Sequence, residues 1–435
     1  MTLDVMTLLL ALGALSAAVT VTIVCWISPR ATMILWTIAL FFVPVWVGAN
    51  LGIFWSAITV LTFLAIIVQG RRFKPHPIDA FVLIFLVLAS VLLGLGLVEL
   101  SPYVTALSEW LLPYLWGRIV LECVPASFVI KCIATAATIV AVLAIVEFVT
   151  SVNFFVLIPG TGIVHTMWST LQARSEFIRA EGAFGHSIAL GAAMAMSAAF
   201  VLAAPWRTFF KVSALALLGV ATVVTFSRIG LVTFALTVAL SLLLLREMKA
   251  RARWVIALVL VIAVAVVVPF IADVFLDAGQ EAGGSADYRT DLFVLRSQVQ
   301  WLGGAGDWKS LIVGDDYLGY FARSIDNAVM LALLQFGYLP TAVLFASYLS
   351  TVVLVLRPGR MNAAGIAIIA QLPSLWVVAL ITQYGMMLWF CIGLALTWAV
   401  KAQQQRDRQG TATSLLQPDW STVRAAQTEK ASGRQ

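Results

Sequence analysis

Residues Leu215–Leu245 read LALLGVATVVTFSRIGLVTFALTVALSLLLL, two apolar runs separated by the short polar stretch Thr225-Phe226-Ser227-Arg228. Continuous apolar runs approaching about 20 residues suit helices that cross a hydrocarbon layer about 30 Å thick. A spanning β-barrel would instead alternate apolar and polar residues over segments of about 10. Outward from this stretch the same pattern recurs along most of the chain. Of its 435 residues, 62% are hydrophobic and 11% charged, against about half and about a quarter in a soluble domain.

These runs predict an all-α polytopic membrane protein with about 12–13 transmembrane helices and a large external loop. The expected spans are 6–27, 31–48, 52–69, 78–98, 104–122, 128–149, 187–204, 209–226, 229–245, 254–275, 327–356, 363–381 and 383–400. The first lacks a basic leader and a cleavage site and reads as a retained span. The fifth carries Glu109, Pro113, Arg118 and Glu122; it reads either as a crossing or as a broken interfacial segment. Residues 1–150 then form an N-terminal bundle, 151–400 a membrane region that includes an external loop at 276–326, and 401–435 a disordered cytoplasmic tail. No internal repeat is visible, which leaves the inverted-repeat plan of many transporters unsupported.

A net charge of +6 and a pI near 9.3 would fit a nucleic-acid binder if the bases formed one patch. They do not. They fall in short connections: Arg71, Arg72 and Lys74; Arg207 and Lys211; Arg246, Lys249, Arg251 and Arg253; Arg357 and Arg360; and the tail from Lys401. With the N-terminus outside, all five are cytoplasmic, as the positive-inside rule asks. The four cysteines, Cys25, Cys123, Cys132 and Cys391, lack metal-ligand spacing and read as packing residues.

The same topology places 151–185 and 276–325 outside, and external arginines are informative because positive charge otherwise collects inside. Arg174 and Arg179 lie in the first segment, Arg228 at an outer junction, and Arg289, Arg296 and Arg323 in the second. From Asp277 to Asp326 there are eight acids against four bases, so the loop is no general attractor of polyanions. Its arginines pair either with those acids or with a bound phosphate. Arg228, breaking an apolar stretch, is a functional candidate or an arginine that snorkels to the headgroups beside a tight turn.

In Arg179-Ala180-Glu181-Gly182-Ala183-Phe184-Gly185-His186 the glycines permit a close turn, which puts His186 at the start of a helix. It is either part of an anion site or an interfacial polar residue. Leu292, Leu295, Val299 and Leu302 keep helical spacing, so Tyr288–Leu302 predicts an amphipathic surface helix with Arg289 and Arg296 on one face. Each either binds substrate or pairs with Asp291 or neighbouring acids on a solvated helix. Asp326-Asn327 precedes an apolar run, where either residue suits a helix cap. The Asp326 carboxylate also suits a general base.

Taken in order, the Arg179–His186 segment, Ser227-Arg228, Arg289, Gly314 in Leu311-Ile312-Val313-Gly314, and Asp326-Asn327 followed by Gln335-Phe336-Gly337 resemble the O-antigen ligase and Wzy-type polysaccharide polymerase superfamily. The motifs cover about 170–345. The resemblance implies a metal-independent, cofactor-free glycosyltransferase of the C type, multi-pass in the bacterial inner membrane, with its site facing the periplasm. Its donor would be an undecaprenyl-pyrophosphate-linked oligosaccharide and its acceptor a glycan hydroxyl, with other polysaccharide-assembly proteins as partners and no nucleic acid. It assigns Arg228 and Arg289 to the pyrophosphate and Asp326 to the proton, with Arg179, His186, Arg296 and Asn327 binding substrate. Many members have His-Asn where this chain has Asp326-Asn327. That departure favours a chain polymerase over a ligase with a lipid acceptor. A lipid-linked-sugar flippase is the reading from another class.

Overall fold

The computed structural model describes residues 5–50, 52–160, 162–174, 177–245, 250–251, 253–258, 261–262, 265, 292–306 and 327–416. Arg289, Gly314, Arg323 and Asp326 lie outside the described residues, with most of the expected loop 276–326 and much of the expected span 254–275. The described chain is predominantly helical. Its helices are α1 (Val5–Ile27), α2 (Pro29–Phe42), α3 (Ala57–Gln69), α4 (Asp79–Gly94), α5 (Leu100–Thr105), α6 (Leu112–Cys123), α7 (Ala126–Thr150), α8 (Gly162–Trp168), α9 (Ser187–Ala203), α10 (Thr208–Val224), α11 (Arg228–Leu244), α12 (Ala328–Phe336), α13 (Tyr338–Leu356), α14 (Ala363–Ala370) and α15 (Thr382–Leu416). Two short antiparallel hairpins, β1–β2 (Gly48–Asn50, Phe54–Ser56) and β3–β4 (Ala173–Arg174, Phe177–Ile178), sit in the connections.

Among the described residues three helices are long and apolar enough to cross a membrane: Ala126–Thr150, Tyr338–Leu356 and the stretch Thr382–Gln409 of α15. Others, such as α2 and α4, are apolar but shorter; 14 residues of α2 rise only about 21 Å. Expected spans are trimmed or broken where the backbone turns. The span expected at 31–48 ends at Phe42, and β1 follows. The one expected at 327–356 breaks at Gly337, whose φ of 89° no helix accepts. The one expected at 363–381 is α-helical only to Ala370 and continues as the 3-10 turn Leu372–Trp376. The fifth run is continuous, a π-helical turn at Ala106–Leu111 joining α5 to α6.

One buried apolar cluster extends from Cys25 to Ala399. Its axis is α9, nearly all of whose residues are buried, with α7, α10, α11, α14 and α15 packed around it. Alanine and glycine on α9 let neighbouring backbones approach closely. The exterior, by contrast, exposes large apolar side chains: Phe63 and Ile67 on α3, Leu83 and Val87 on α4, Val149 on α7, Val353 on α13. A buried axis inside an apolar exterior is the arrangement of an all-α membrane protein. All four cysteines are free.

Among the described residues the most extensive helix contact joins α6 to α15. Gly117 faces the Phe390 carbonyl, and Gly393 faces the Tyr114 carbonyl, each with no room for a methyl group. Gly117→Ala or Gly393→Ala is expected to cost about 1–3 kcal/mol by forcing the backbones apart. Thermal melting in detergent measures this, and an unchanged midpoint would mean that the helices part freely. Beside the crossing, Arg118 (4% exposed) grips Asp79 through Nε and NH2 at 2.8 and 2.9 Å. Its NH1 also reaches Thr397 Oγ1 at 2.6 Å and its NH2 the Lys74 carbonyl at 2.7 Å. The buried arginine of the fifth run is therefore paired with a carboxylate, and the run's backbone continues through it.

The basic connections gather at one end. Lys74 and Lys401 both pair with Glu122, at 2.6 and 3.2 Å, and Arg406 donates to the Pro358 carbonyl at 2.8 Å. Of the tail expected to be disordered over 401–435, the part to Leu416 is helical, and 417–435 lie outside the described residues. Its Gln, Lys and Arg residues favour helix, and the two anchors hold the extension down. The opposite end, where α15 begins, carries the features of interest.

Candidate functional site

Local chemistry shapes the segment before α9. Gly182 and Gly185 take φ of 56° and 63°, and the second leaves no space for a side chain against the Trp168 carbonyl, 2.7 Å from where a Cβ would stand. The resulting 3-10 turn Gly182–Phe184 delivers His186 as the N-cap of α9, its Nδ1 accepting from the Ile188 N–H at 3.1 Å. His186 therefore satisfies a backbone donor itself, and its ring stands edge-on to Trp168.

Arg179 crosses to the junction of α10 and α11. Its Nε donates to the Thr225 carbonyl at 2.9 Å, its NH1 to Gln172 Oε1 at 3.4 Å, and the Ala180 N–H reaches the Val224 carbonyl at 3.1 Å. The junction is built by Phe226, at φ 48°, and by Ser227, whose Oγ accepts from the Gly230 N–H at 3.1 Å. Gly191 and Gly230 let α9 and α11 touch there. Arg228 opens α11 and is exposed. It stands at the end of the bundle rather than within apolar depth, because the Thr225–Ser227 turn ends α10 before it. Arg179 and His186 thus stand together beside the junction from which Arg228 starts α11, a first cluster.

Arg296 and Asn327 belong to a second. Residues Leu292–Gln298 form a 3-10 turn, not the expected amphipathic α-helix, with Arg296 exposed and Leu295 buried against Met330 and Leu334. Beyond it the chain is pinned by backbone bonds from Gly303 to Phe336, Gly304 to Leu97 and Ala305 to Leu334, at 3.0, 2.6 and 2.8 Å. The turn at Gly303 (φ 90°) and those backbone bonds outweigh the helical spacing that included the exposed Leu302. Asn327 is the N-cap of α12, its Oδ1 accepting from the Met330 N–H at 2.8 Å. The capping role open to either residue therefore falls to Asn327, not Asp326. The turn Leu372–Trp376 packs against both α11 and α12.

A buried carboxylate holding the first cluster escaped the sequence reading. Glu147 on α7 (2% exposed) accepts from the Glu181 and Gly182 N–H groups at 3.0 and 2.9 Å and from Asn153 Nδ2 at 2.9 Å. The available signal was a lone acid in the apolar run 128–149. Gln383 adds a tie, its Nε2 donating to the Val43 and Ala183 carbonyls at 2.8 and 3.1 Å. Among the described residues no three His, Cys, Asp or Glu side chains gather where they would share a metal ion.

Burial pushes the Glu181 carboxyl up to about 8 from its ordinary 4.5, with Glu147 adding to the rise and the Gln172 N–H and Arg179 opposing it. Burial, and then Arg179, push the His186 imidazole down to about 3 from 6.5. The raised acid loses stability as pH rises from about 4.5 to about 8, and the depressed histidine loses it as pH falls from about 6.5 to about 3. Between 4.5 and 6.5 the two slopes oppose each other. Melting midpoints in detergent are expected to fall on both sides of that window. Glu181→Gln should remove part of the alkaline fall and His186→Asn part of the acid fall. Unchanged slopes in both variants would refute the assignment.

The chain matches no protein-family model, no curated protein and no solved structure.

Proposed function

We propose that this protein is an inner-membrane polysaccharide polymerase that transfers a glycan from an undecaprenyl-pyrophosphate carrier to an acceptor sugar hydroxyl at the periplasmic face. The observation that carries the reading is the cluster in which Arg179 is tied by 2.9 Å to the carbonyl of Thr225, three residues before the exposed Arg228 at the start of α11. Of the arginines read as external, Arg179 and Arg228 stand at the end of the bundle opposite the basic connections. A helix N-terminus with an arginine on its first turn suits a phosphate, and the fork of a guanidinium suits two of its oxygens.

In this reading the acceptor hydroxyl attacks the anomeric carbon as the bond to the carrier pyrophosphate breaks, and the leaving group departs with its electron pair. Arg228 and Arg289 balance the charge that develops on the pyrophosphate. Asp326 takes the proton of the hydroxyl, as the base of an inverting glycosidase takes one from water. Arg179, His186 and Asn327 order the surrounding backbone, and Arg296 lies exposed beside α12 for the glycan. The polymer product stays outside, so the site needs no path for sugar across the bilayer.

Deleting the gene and examining the surface glycan tests the reading. Loss of long polymer with a single repeat unit retained is expected. Accumulation of carrier-linked polymer would assign a ligase instead, and accumulation of single carrier-linked units on the cytoplasmic side would assign a flippase.

A further inference from the structure

The end of the bundle that carries the basic connections holds a cleft with no part in glycan transfer. It opens between the ends of α9, α11 and α13, the turn 357–362 and the outer part of α15, and it encloses about 290 Å³. Its apolar lining includes Leu244, Leu245, Met361 and Trp398, its basic lining is Arg357 and Arg406, and among the described residues no acid lines it. The rim is held in shape by its own bonds. Asn362 caps α14 through the Gly365 N–H at 2.9 Å and donates to the Arg360 and Ala395 carbonyls at 3.1 and 3.3 Å. Arg406 donates to the Pro358 carbonyl at 2.8 Å and lies across Gly359, whose φ of 72° and missing side chain leave room for the guanidinium.

We propose that this cleft binds the headgroup of an anionic phospholipid, with the phosphodiester between Arg357 and Arg406 and the acyl chains along the apolar faces of α11 and α13. Basic pockets between membrane helices on the cytoplasmic side suit anionic headgroups. The apolar part of the lining separates a lipid from free phosphate, because a small, fully hydrated anion gains nothing from Leu244 and Leu245. The exterior beside the rim is also apolar and open, with Leu243 75% and Val353 58% exposed. Trp398, partly buried in the lining, is the type of residue that sits at headgroup level. The extension of α15 beyond 401 thereby has a purpose, since it carries the second arginine to the cleft. The inference rests on the membrane setting alone, so lipid binding and glycan transfer stand or fall separately.

Native mass spectrometry of the full chain in neutral detergent tests it, with phosphatidylglycerol and phosphatidylcholine of identical chains offered in equal amount. One phosphatidylglycerol is expected to be retained in preference, with a loss of about five-fold in affinity for each arginine removed. Arg406→Ala also loses a bond to the turn, so Arg357→Glu, at an exposed position, is the cleaner variant. It should abolish the preference while leaving the melting midpoint in lipid-free detergent unchanged. Equal retention of the two lipids, a preference that survives Arg357→Glu, or full displacement by millimolar inorganic phosphate would each overturn the proposal.

Discussion

Alanine in place of Arg228 or Arg289 is expected to lower polymer synthesis by about 10²–10³-fold, the usual cost of removing one preorganised group that meets developing charge. The expectation is strongest for Arg228 because neighbouring residues build the junction on which it stands. The junction is made by the Ser227 cap on the Gly230 N–H and by the close approach of Gly191 and Gly230, and Arg228 itself is exposed. The variant should therefore reach the membrane in normal amount. Arg228→Lys keeps the charge but loses the planar fork, so its activity should fall between wild type and alanine. Polymer of wild-type length and yield from both alanine variants, each present in the membrane, would end the pyrophosphate assignment.

For the proposed base, the structure separates two effects that overlap in the sequence. Asn327 caps α12, so Asp326→Asn should leave the helix start intact while removing a proton acceptor, at a cost of about 10²–10⁴ in rate. Asn327→Ala should do the reverse. It is expected to cost about 0.5–2 kcal/mol of stability and to depress activity only as far as α12 loosens. Melting curves and transfer rates of the two variants, measured side by side, form the test. Full activity in Asp326→Asn would leave the reaction without its proposed base. A lowered melting midpoint in that variant would give the carboxylate a structural role.

The features legible in the sequence were those carried by a short window. Apolar runs announced helices, basic connections announced their shared end, and Gly185-His186 and Phe226-Ser227 announced the starts of α9 and α11. Each follows from hydropathy, a charge count or a cap, quantities that a residue and its near neighbours decide between them. What stayed hidden depends on partners far along the chain. Glu147 meets backbone donors more than 30 residues away, Arg118 holds Thr397, and Gln383 ties Val43 to Ala183. Of these, Arg118 and Glu147 stand in the sequence as charges inside apolar runs, and what they bond is not legible there.

The fate of the expected spans and tail has the same origin. A run such as 327–356 is apolar throughout, yet Gly337 breaks it, because residues 300–303 occupy its flank and the backbone there bonds to Gln300 and Trp301 instead of continuing the helix. The tail reads as polar and loose, yet α15 runs on to Leu416 because Glu122 and the Pro358 carbonyl hold Lys401 and Arg406. The sequence by itself determined an all-α architecture with an apolar exterior and a basic end, since transfer from water to an apolar phase is nearly additive over residues. Only the tertiary structure decided which arginines stand exposed, which residue caps α12 and where helices stop. A buried polar group takes whichever partner the packing brings within about 3 Å, and that partner lies beyond any local window.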